Sequence, residues 1–533
     1  MTLQPTPAGG GAATGTANAT TVTTVTAALA GALSDRAGAG RLFLAAERLP
    51  ASLSPAERRS CEDGFVQRAL WPLFHDLAPL AAFDLADWQA FRAVNRKFAR
   101  AAAQAVSRGG RSGRGDAAGR RWAVAGPPSP PGHPADLVFA RDPQLMGLAA
   151  ELRRLRVPVE AVFFMRPPFP VPDLLLRLPW RERLLAGLLA FDRLGFQTRR
   201  DLGNFLDSVQ MVFGKVTARR DAGGAWILTG RAGERTCAVT AGAYPEGVDA
   251  AAIARAAASP EVERRLAALR AAGQPRPGGQ LGPSGQLGPG SQPGPGGQLG
   301  PDSPLSRHGQ PGSHGELGAA GGHPASVGGR RRRQWVLALD TLSPEEGTPE
   351  KLRAFAAALE LRPALRDTVS LLLVVEPGRS AGGAAAVALR REIERLVGEI
   401  NGRLGRAGCV PVRYRFQQLD ATERLALYRA ADVALVTPLR SGMGLTAKEY
   451  CAADLEERGA LVLSEFAGAA AQLGDGALLV NPHDVGAAAR ALTAALRSGD
   501  DERRRRMRLL RDEVRAHDVS WWMRELLPEM HLA

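Results

Sequence analysis

The sequence predicts an α/β protein with two doubly wound domains, each a parallel sheet covered by helices on both faces. Short buried-strand runs alternate with helical patterns in both halves of the chain. Of the 533 residues, 45% are hydrophobic, which is enough for two cores, and a segment rich in Gly, Pro and Gln separates the halves. Because such domains bind ligands at the carboxyl ends of their strands, we expect the two domains to face each other across a binding cleft.

The first domain is predicted over residues 36–270. The preceding residues, 1–35, form a Gly/Ala/Thr-rich low-complexity segment that contributes little to a core. Within the domain, ADLVFA (135–140) and VEAVFF (159–164) are strand candidates, and residues 84–106 carry a helical pattern.

A disordered insert is predicted over residues 271–333, where Gly-Gln-Leu-Gly-Pro units repeat without enough apolar content to pack. The second domain follows over residues 334–533. Its strand candidates are QWVLALD, SLLLVV, DVALVT, GALVLS and ALLVNP, and helical segments separate them, as in a parallel sheet.

A strand, a Gly-rich turn and a helix start follow one another at residues 434–450. The strand ALVT ends at Pro438, and the turn Ser-Gly-Met-Gly (441–444) permits backbone angles that other residues resist. Free N–H groups at the helix start, with the positive end of its dipole, suit phosphate or sugar oxygens. The alternative is an ordinary strand-to-helix turn without a ligand.

Composition argues against several other classes of protein. The formal charge of +14 is spread along the chain, and the arginine runs at 330–333 and 503–506 fit solvated surface better than nucleic-acid binding. The four cysteines lie far apart without metal-ligand spacing, which indicates free thiols in a reducing, cytoplasmic setting. Neither a secretory signal nor a membrane span is indicated.

Several long stretches together resemble the trehalose-6-phosphate synthase family. They are VTPLRSGMGLTAKEYCAA, LVLSEFAGAAAQLGDGALLVNPHDV, LWPLFHDL, FRAVNRKFA and DRLGFQTRRDLGNFLDSV. The family consists of retaining glycosyltransferases with two Rossmann-like domains, the GT-B architecture. The resemblance implies transfer of glucose from a nucleotide sugar such as UDP-glucose to glucose-6-phosphate in trehalose biosynthesis, without a cofactor or a metal. It also implies a C-terminal helix, within residues 517–530, that crosses back onto the first domain.

The resemblance assigns the donor site residue by residue. The donor-binding candidates are Ser441, Gly442, Met443, Gly444, Leu445 and Glu449. The family loop reads Asp-Gly-Met-Asn and holds the donor glucose, so Ser441 and Gly444 replace two of its polar side chains. The family's diphosphate-binding Arg and Lys fall at Ala338 and Glu346, in a loop three residues longer. We therefore expect the donor diphosphate to be held weakly.

On the acceptor side, the resemblance assigns glucose-6-phosphate binding to Trp71, Asp142 and Arg379. Glu62 replaces a phosphate-binding Tyr of the family. Asp142 and Arg166 are the candidate catalytic residues, and Arg166 stands where the family has a His that assists the transferring sugar. The family's first strand is read as absent, and its Gly-Gly pair falls at Thr23 and Thr24.

Two functions stay open at this point. The chain is either an enzyme of the family or a non-catalytic relative that senses a sugar phosphate or pairs with an active synthase or a second copy of itself. Nucleotide sugars and sugar phosphates are the expected ligands in both cases. A third function, nucleic-acid binding through the positive charge, is less consistent with the sequence.

Overall fold

The computed structural model describes the greater part of both predicted domains. The described residues are 42–45, 53–108, 123–125, 136–221, 223–272, 333–378, 383–406 and 409–527, with the backbone alone for 42–45 and 123–125. The low-complexity start, residues 273–332 of the predicted insert, and Thr23, Thr24 and Arg379 lie outside the described residues.

The first sheet has eight strands in the order β2-β1-β3-β4-β5-β8-β7-β6. They are Leu42–Ala45 (β1), Ala123–Ala125 (β2), Asp136–Ala140 (β3), Val159–Met165 (β4), Arg193–Phe196 (β5), Val216–Arg220 (β6), Trp226–Ala232 (β7) and Arg235–Ala243 (β8). β1, β3, β4, β5 and β8 pair in parallel, so their carboxyl ends share one edge. β2, β7 and β6 add antiparallel pairs at the two sides.

Helices cover this sheet and supply most of its apolar core. They are Pro55–Arg59, the π-helical Ser60–Leu70, Trp71–Phe74, Leu85–Arg108, Leu148–Arg154, Pro172–Leu175, Arg181–Leu188 and Arg199–Phe213, with single 3₁₀ turns at Ala78–Leu80 and Pro143–Leu145. Phe65 packs against Trp88 and Phe91, and Trp88 stacks on Trp180 with ring centroids 5.3 Å apart. This aromatic cluster fixes the segment that leads into Trp71.

The second sheet is entirely parallel, in the order β11-β10-β9-β12-β13-β14. Its strands are Gln334–Thr341 (β9), Val369–Glu376 (β10), Val412–Phe416 (β11), Val433–Val436 (β12), Ala460–Ser464 (β13) and Leu478–Val480 (β14). Its helices are Thr348–Leu361, Ala384–Leu404, Ala421–Ala430, Leu445–Ala453, Ala470–Leu473, Val485–Arg497 and Asp500–Ala516, with 3₁₀ turns at Pro344–Glu346 and Pro363–Asp367. The strand order reverses between β9 and β12, which is where such sheets bind nucleotides.

The chain crosses between the domains twice, at adjacent points. Helices Ala250–Ala257 and Pro260–Ala272 come before the undescribed residues 273–332. Ala250 and Ala257, with Val248 just before them, join the core of the second domain. The chain returns at Val519, whose N–H donates to the carbonyl of Val248 at 3.2 Å. The core of the second domain therefore includes residues from both sides of the insert.

The helix Val519–Leu526 packs on the first sheet, on the face formed by β3 and β4. Its Trp522 is fully buried and meets Phe164 and Phe139 edge-on, with centroids 4.8 and 6.4 Å apart. Met523, Leu526 and Leu527 complete the contact. Residues from the far end of the second domain thus cover an apolar face of the first.

Two further observations concern the sequence predictions on cysteines and membranes. All four cysteines are buried and unpaired. In the part of the chain that the structure describes, every helix is too short or too polar to cross a membrane.

Candidate functional site

A cleft of about 1260 Å³ lies where the carboxyl ends of strands from both sheets meet. The first domain contributes residues that follow β3, β4, β5 and β8, together with the segment around Trp71. The second domain contributes the loops after β9 and β12, which flank its switch point. The two sets of strand ends give the cleft one wall from each domain.

The loop after β12 is held against both domains by its backbone. A Cβ at Gly442 would collide with the carbonyl oxygen of Arg166, so only glycine permits this approach. Met443 is buried, and its carbonyl accepts from the N–H of Ala469 at 2.8 Å. Gly444 has φ of 72° and caps the helix Leu445–Ala453, so the predicted strand, turn and helix start are all present.

Glu449 faces the cleft from the first turns of this helix. The hydroxyl of Tyr428 donates to its Oε2 at 2.9 Å, which fixes the carboxylate beside the loop. Ser441, Gly442, Met443, Gly444, Leu445 and Glu449 all line the cleft, so the structure brings the six donor candidates together.

Strand β9 and the loop after it carry the positions that correspond to the family's diphosphate-binding Arg and Lys. Ala338 is fully buried in the apolar core of the second domain and is not among the described cleft residues. Its side chain lies in the core, so this position contributes no polar group to the described cleft. The cleft wall here is instead formed by residues 339–346.

Glu346 lines the cleft, but it is less anionic than expected from the sequence. Burial raises the pKa of its carboxyl to about 8; Asp340 and Glu345 also raise this pKa, and Lys351 opposes the shift. Lys351 is itself paired with Asp340, which also accepts from the Thr348 hydroxyl at 2.7 Å. Glu346 is therefore mostly protonated at pH 7 and becomes an anion only as the pH passes 8.

Trp71 and Glu345 form a contact between the two domains. The indole Nε1 of Trp71 donates to Glu345 Oε1 at 2.7 Å. His75 stacks on Trp71 with centroids 4.2 Å apart, and its Nδ1 lies 2.9 Å from the Trp71 carbonyl oxygen. Burial lowers the pKa of the His75 imidazole, helped by Arg440 and opposed by Glu345, so this ring is neutral at pH 7.

Asp142 and Arg166, the candidate catalytic pair, follow β3 and β4 and both line the cleft. Asp142 is 3% exposed, and its Oδ2 has no hydrogen-bond partner among the described residues. Arg166 Nε lies 3.8 Å from Glu246 Oε2. The cation of Arg166 is therefore partly neutralised by Glu246.

Glu246 is the centre of a buried polar network that sequence reasoning missed. Its carboxylate accepts from Arg141 Nη2 at 2.8 Å and Gln197 Nε2 at 3.2 Å. Burial acts to raise the pKa of this carboxyl, but Arg141, Arg166 and Gln197 together hold it below its ordinary value. The only sequence signal was a glutamate in the otherwise apolar stretch AYPEGV.

Lys448 links this network to the second domain. Its Nζ donates to the backbone oxygen of Glu246 at 2.8 Å and to Gln472 Oε1 at 2.6 Å. Burial lowers the pKa of the Lys448 amine to about 7, against the pull of Glu246 and Glu513. Lys448 therefore acts as a bridge under the donor loop rather than as a cation exposed to ligand.

The charged residues of the described cleft are mostly acidic. The carboxylates are Asp63, Asp87, Asp142, Glu246, Asp340, Glu345, Glu346, Glu376 and Glu449, and the arginines are Arg59, Arg68, Arg166, Arg424 and Arg440. Four of these arginines face a carboxylate within 4 Å; the pairs are Arg68 with Asp87, Arg166 with Glu246, Arg424 with Glu376, and Arg440 with Asp76. The described cleft is acidic although the chain carries a formal charge of +14.

The structure locates three of the four acceptor-side positions. Glu62 is not among the described residues that line the cleft, where its neighbour Asp63 is found instead. Arg379 lies outside the described residues, so its assignment stays a prediction. Trp71 and Asp142 are both on the cleft wall.

Comparison with known proteins gives consistent results. The model of glycosyltransferase family 20 matches residues 132–276 and 329–531. The trehalose-6-phosphate synthase of Mycolicibacterium paratuberculosis is 33% identical over 484 residues, covering 90% of this chain and 80% of that protein. The synthase of Mycolicibacterium smegmatis is 32% identical over 483 residues, covering 90% and 78%.

Solved structures show the same relationship. An α,α-trehalose-phosphate synthase (UDP-forming) from Burkholderia xenovorans, in complex with glucose-6-phosphate, matches with a TM-score of 0.70 and 28% identity over 93% of this chain and 91% of that one. An E. coli structure bound with UDP-2-fluoro glucose matches with a TM-score of 0.69 and 26% identity, covering 90% and 85%. Together with the two-sheet fold and the cleft, these matches show that the chain belongs to glycosyltransferase family 20. It is a trehalose-6-phosphate synthase-like glycosyltransferase of GT-B architecture.

Proposed function

We propose that the cleft binds two ligands: a nucleotide sugar, held by its sugar and ribose ends, and a second sugar beside Trp71. Transfer from UDP-glucose to glucose-6-phosphate is far slower than in the relatives. The observation that carries this proposal is the charge of the described cleft. Carboxylates outnumber arginines, and four of the five arginines already face a carboxylate.

The chemistry explains why this charge matters. Glucose leaves its donor with a nucleoside diphosphate as the leaving group, and negative charge grows on that diphosphate in the transition state. Preorganised cations at this point stabilise the leaving group and raise the rate. In the described part of the loop after β9, residues 341–346 contain no cation and two glutamates. The diphosphate is therefore poorly stabilised from this side of the cleft.

Binding without fast transfer is supported by the groups that remain. Glu449 is fixed by Tyr428 at the position that holds ribose in the family. The Gly442 backbone lies against Arg166, beside the expected place of the transferred sugar. These contacts recognise hydroxyl groups and do not depend on the charge of a phosphate.

The standard synthase reaction is the second candidate, and Asp142 favours it. Its buried Oδ2 has no partner among the described residues, as expected of an acid that receives a sugar hydroxyl. In that case Arg379 would supply the missing positive charge. An active synthase or a second copy of the chain stays a predicted partner, and the cytoplasm a predicted location.

Calorimetry and a release assay distinguish the two candidates. The purified protein is titrated with UDP-glucose and with GDP-glucose, and nucleoside diphosphate release is followed in the presence of glucose-6-phosphate. We expect weak nucleotide-sugar binding, in the millimolar range, and nucleoside diphosphate release far slower than that of a family synthase assayed in parallel. Micromolar UDP-glucose binding with steady turnover would establish the second candidate instead.

A substitution that adds a cation to this loop tests the physical reason. Glu346→Lys should strengthen UDP-glucose binding at least tenfold, which corresponds to about 1.4 kcal/mol. Glu350→Lys is the control, because it adds at least as much positive charge at a residue that pairs with Arg353 and is not among the described cleft residues. Equal effects of the two variants would mean that the net charge of the protein, rather than the loop, controls binding.

A further inference from the structure

Glu345 places a buried carboxylate on the acceptor side of the cleft. The residue is 7% exposed and lines the cleft beside Trp71. One carboxylate oxygen accepts the Trp71 indole N–H at 2.7 Å, and the other, Oε2, has no hydrogen-bond partner among the described residues. A buried carboxylate oxygen without a partner is costly, so a bound group that donates a hydrogen bond would be favoured there.

The loop around Glu345 is held in place, so the carboxylate cannot easily turn away. The backbone oxygen of Glu345 accepts from the N–H of Leu439 at 2.7 Å. Gly347 ends the turn with φ of 65°, and a Cβ there would press against Leu439 and Thr437. These contacts tie the loop after β9 to the loop after β12, with Glu345 pointing at Trp71.

The described residues around Glu345 offer little positive charge to a phosphate. His75, stacked on Trp71, is neutral at pH 7. Arg440 lies 3.5 Å from Asp76 and 3.7 Å from Asp201, so its charge is shared between two carboxylates. Asp142 adds a second buried carboxylate oxygen that has no partner among the described residues.

We infer that Glu345 determines acceptor specificity, and that the sugar site beside Trp71 takes a neutral or amino sugar in preference to a sugar phosphate. Hydroxyl or ammonium groups would donate to Glu345 Oε2 and to Asp142 Oδ2, whereas a phosphate would be repelled by both. The inference rests on the proposed function only in treating the cleft around Trp71 as a sugar-binding site.

The test measures sugar binding without any nucleotide. Glucosamine, glucose and glucose-6-phosphate are titrated into the full-length protein by calorimetry at pH 7. We expect the wild type to bind glucosamine at least tenfold more tightly than glucose-6-phosphate. In Glu345→Gln this ratio should fall at least tenfold, because the charge that attracts an ammonium and repels a phosphate is gone. Glu345→Asp keeps the charge and should keep the preference for glucosamine.

Glu350→Gln is the control and should leave the ratio unchanged. Tighter binding of glucose-6-phosphate than of glucosamine by the wild type would overturn the inference, as would an unchanged ratio in Glu345→Gln. The inference would also fail if the wild type bound no sugar while Glu345→Gln bound all three sugars. That result would show that Glu345 blocks the site instead of selecting its ligand. None of these outcomes depends on the affinity for UDP-glucose, so the inference and the proposed function can fail separately.

Discussion

The raised pKa of Glu346 gives a quantitative prediction about stability. Burial, Asp340 and Glu345 raise this pKa from 4.5 to about 8, against the pull of Lys351. In the unfolded chain the carboxyl loses its proton near pH 4.5, whereas in the folded protein it keeps the proton until about pH 8. The unfolded state therefore binds fewer protons between these values, and the free energy of unfolding falls as the pH rises through this range.

Glu346→Gln removes this effect, because glutamine resembles the protonated carboxyl in shape and charge. One pKa unit corresponds to about 1.4 kcal/mol, so the variant should be more stable than the wild type by on the order of a few kcal/mol at pH 7, and by more at pH 9. Near pH 4.5 the two proteins should be almost equally stable. Other titrating groups are common to both proteins and cancel in the difference.

Urea unfolding at pH 5, 7 and 8.5, followed by tryptophan fluorescence, measures this difference directly. Glu350→Gln, on the first turn of the next helix, should show no comparable dependence on pH. A gain in Glu346→Gln that is the same at all three pH values would refute the reasoning, since it would come from packing rather than from ionisation.

Three other substitutions test separate parts of the structure. Trp522→Ala should lower the free energy of unfolding, measured by urea titration, by about 3–5 kcal/mol, because its ring is fully buried against Phe164 and Phe139. Trp521→Ala changes a partly buried residue and should cost much less in the same titration. Lys448→Met should remove a rise in the free energy of unfolding between pH 7 and pH 10. The folded-state pKa of Lys448 is lowered to about 7, whereas the unfolded chain stays protonated over this range. Melting temperatures of the variant that still rise with pH as in the wild type would contradict this. Gly442→Ala should weaken sugar binding, measured by calorimetry, at least tenfold, because the added Cβ meets the Arg166 carbonyl. The circular dichroism spectrum should be unchanged. Unaltered binding would mean that the loop relaxes.

Much of the fold could be predicted from the sequence because it depends on local patterns. The five strand candidates of the second half correspond to β9, β10, β12, β13 and β14, and those of the first half to β3 and β4. Buried parallel strands are continuous apolar runs, which are visible without any knowledge of their neighbours. The antiparallel strands β6 and β7 carry mixed residues such as VTARR and were missed for that reason.

The local structure around the candidate site was predictable where one segment carries it, as in the strand, turn and helix start that contain residues 441–449. It was not predictable where distant segments meet. Glu246 and Lys448 interact across 202 residues, and Trp71 and Glu345 across 274, so no local pattern reveals either contact.

The packing of Val519–Leu526 on β3 and β4 has a consequence for how the protein is made. The apolar face that includes Phe139 and Phe164 leaves the ribosome long before the residues that cover it. At a synthesis rate of about 5–20 residues per second, that face stays uncovered for roughly 20 to 70 seconds. During translation the nascent first domain therefore exposes an apolar face, and chaperones that bind apolar surface are expected to hold it until Val519–Leu526 has been made.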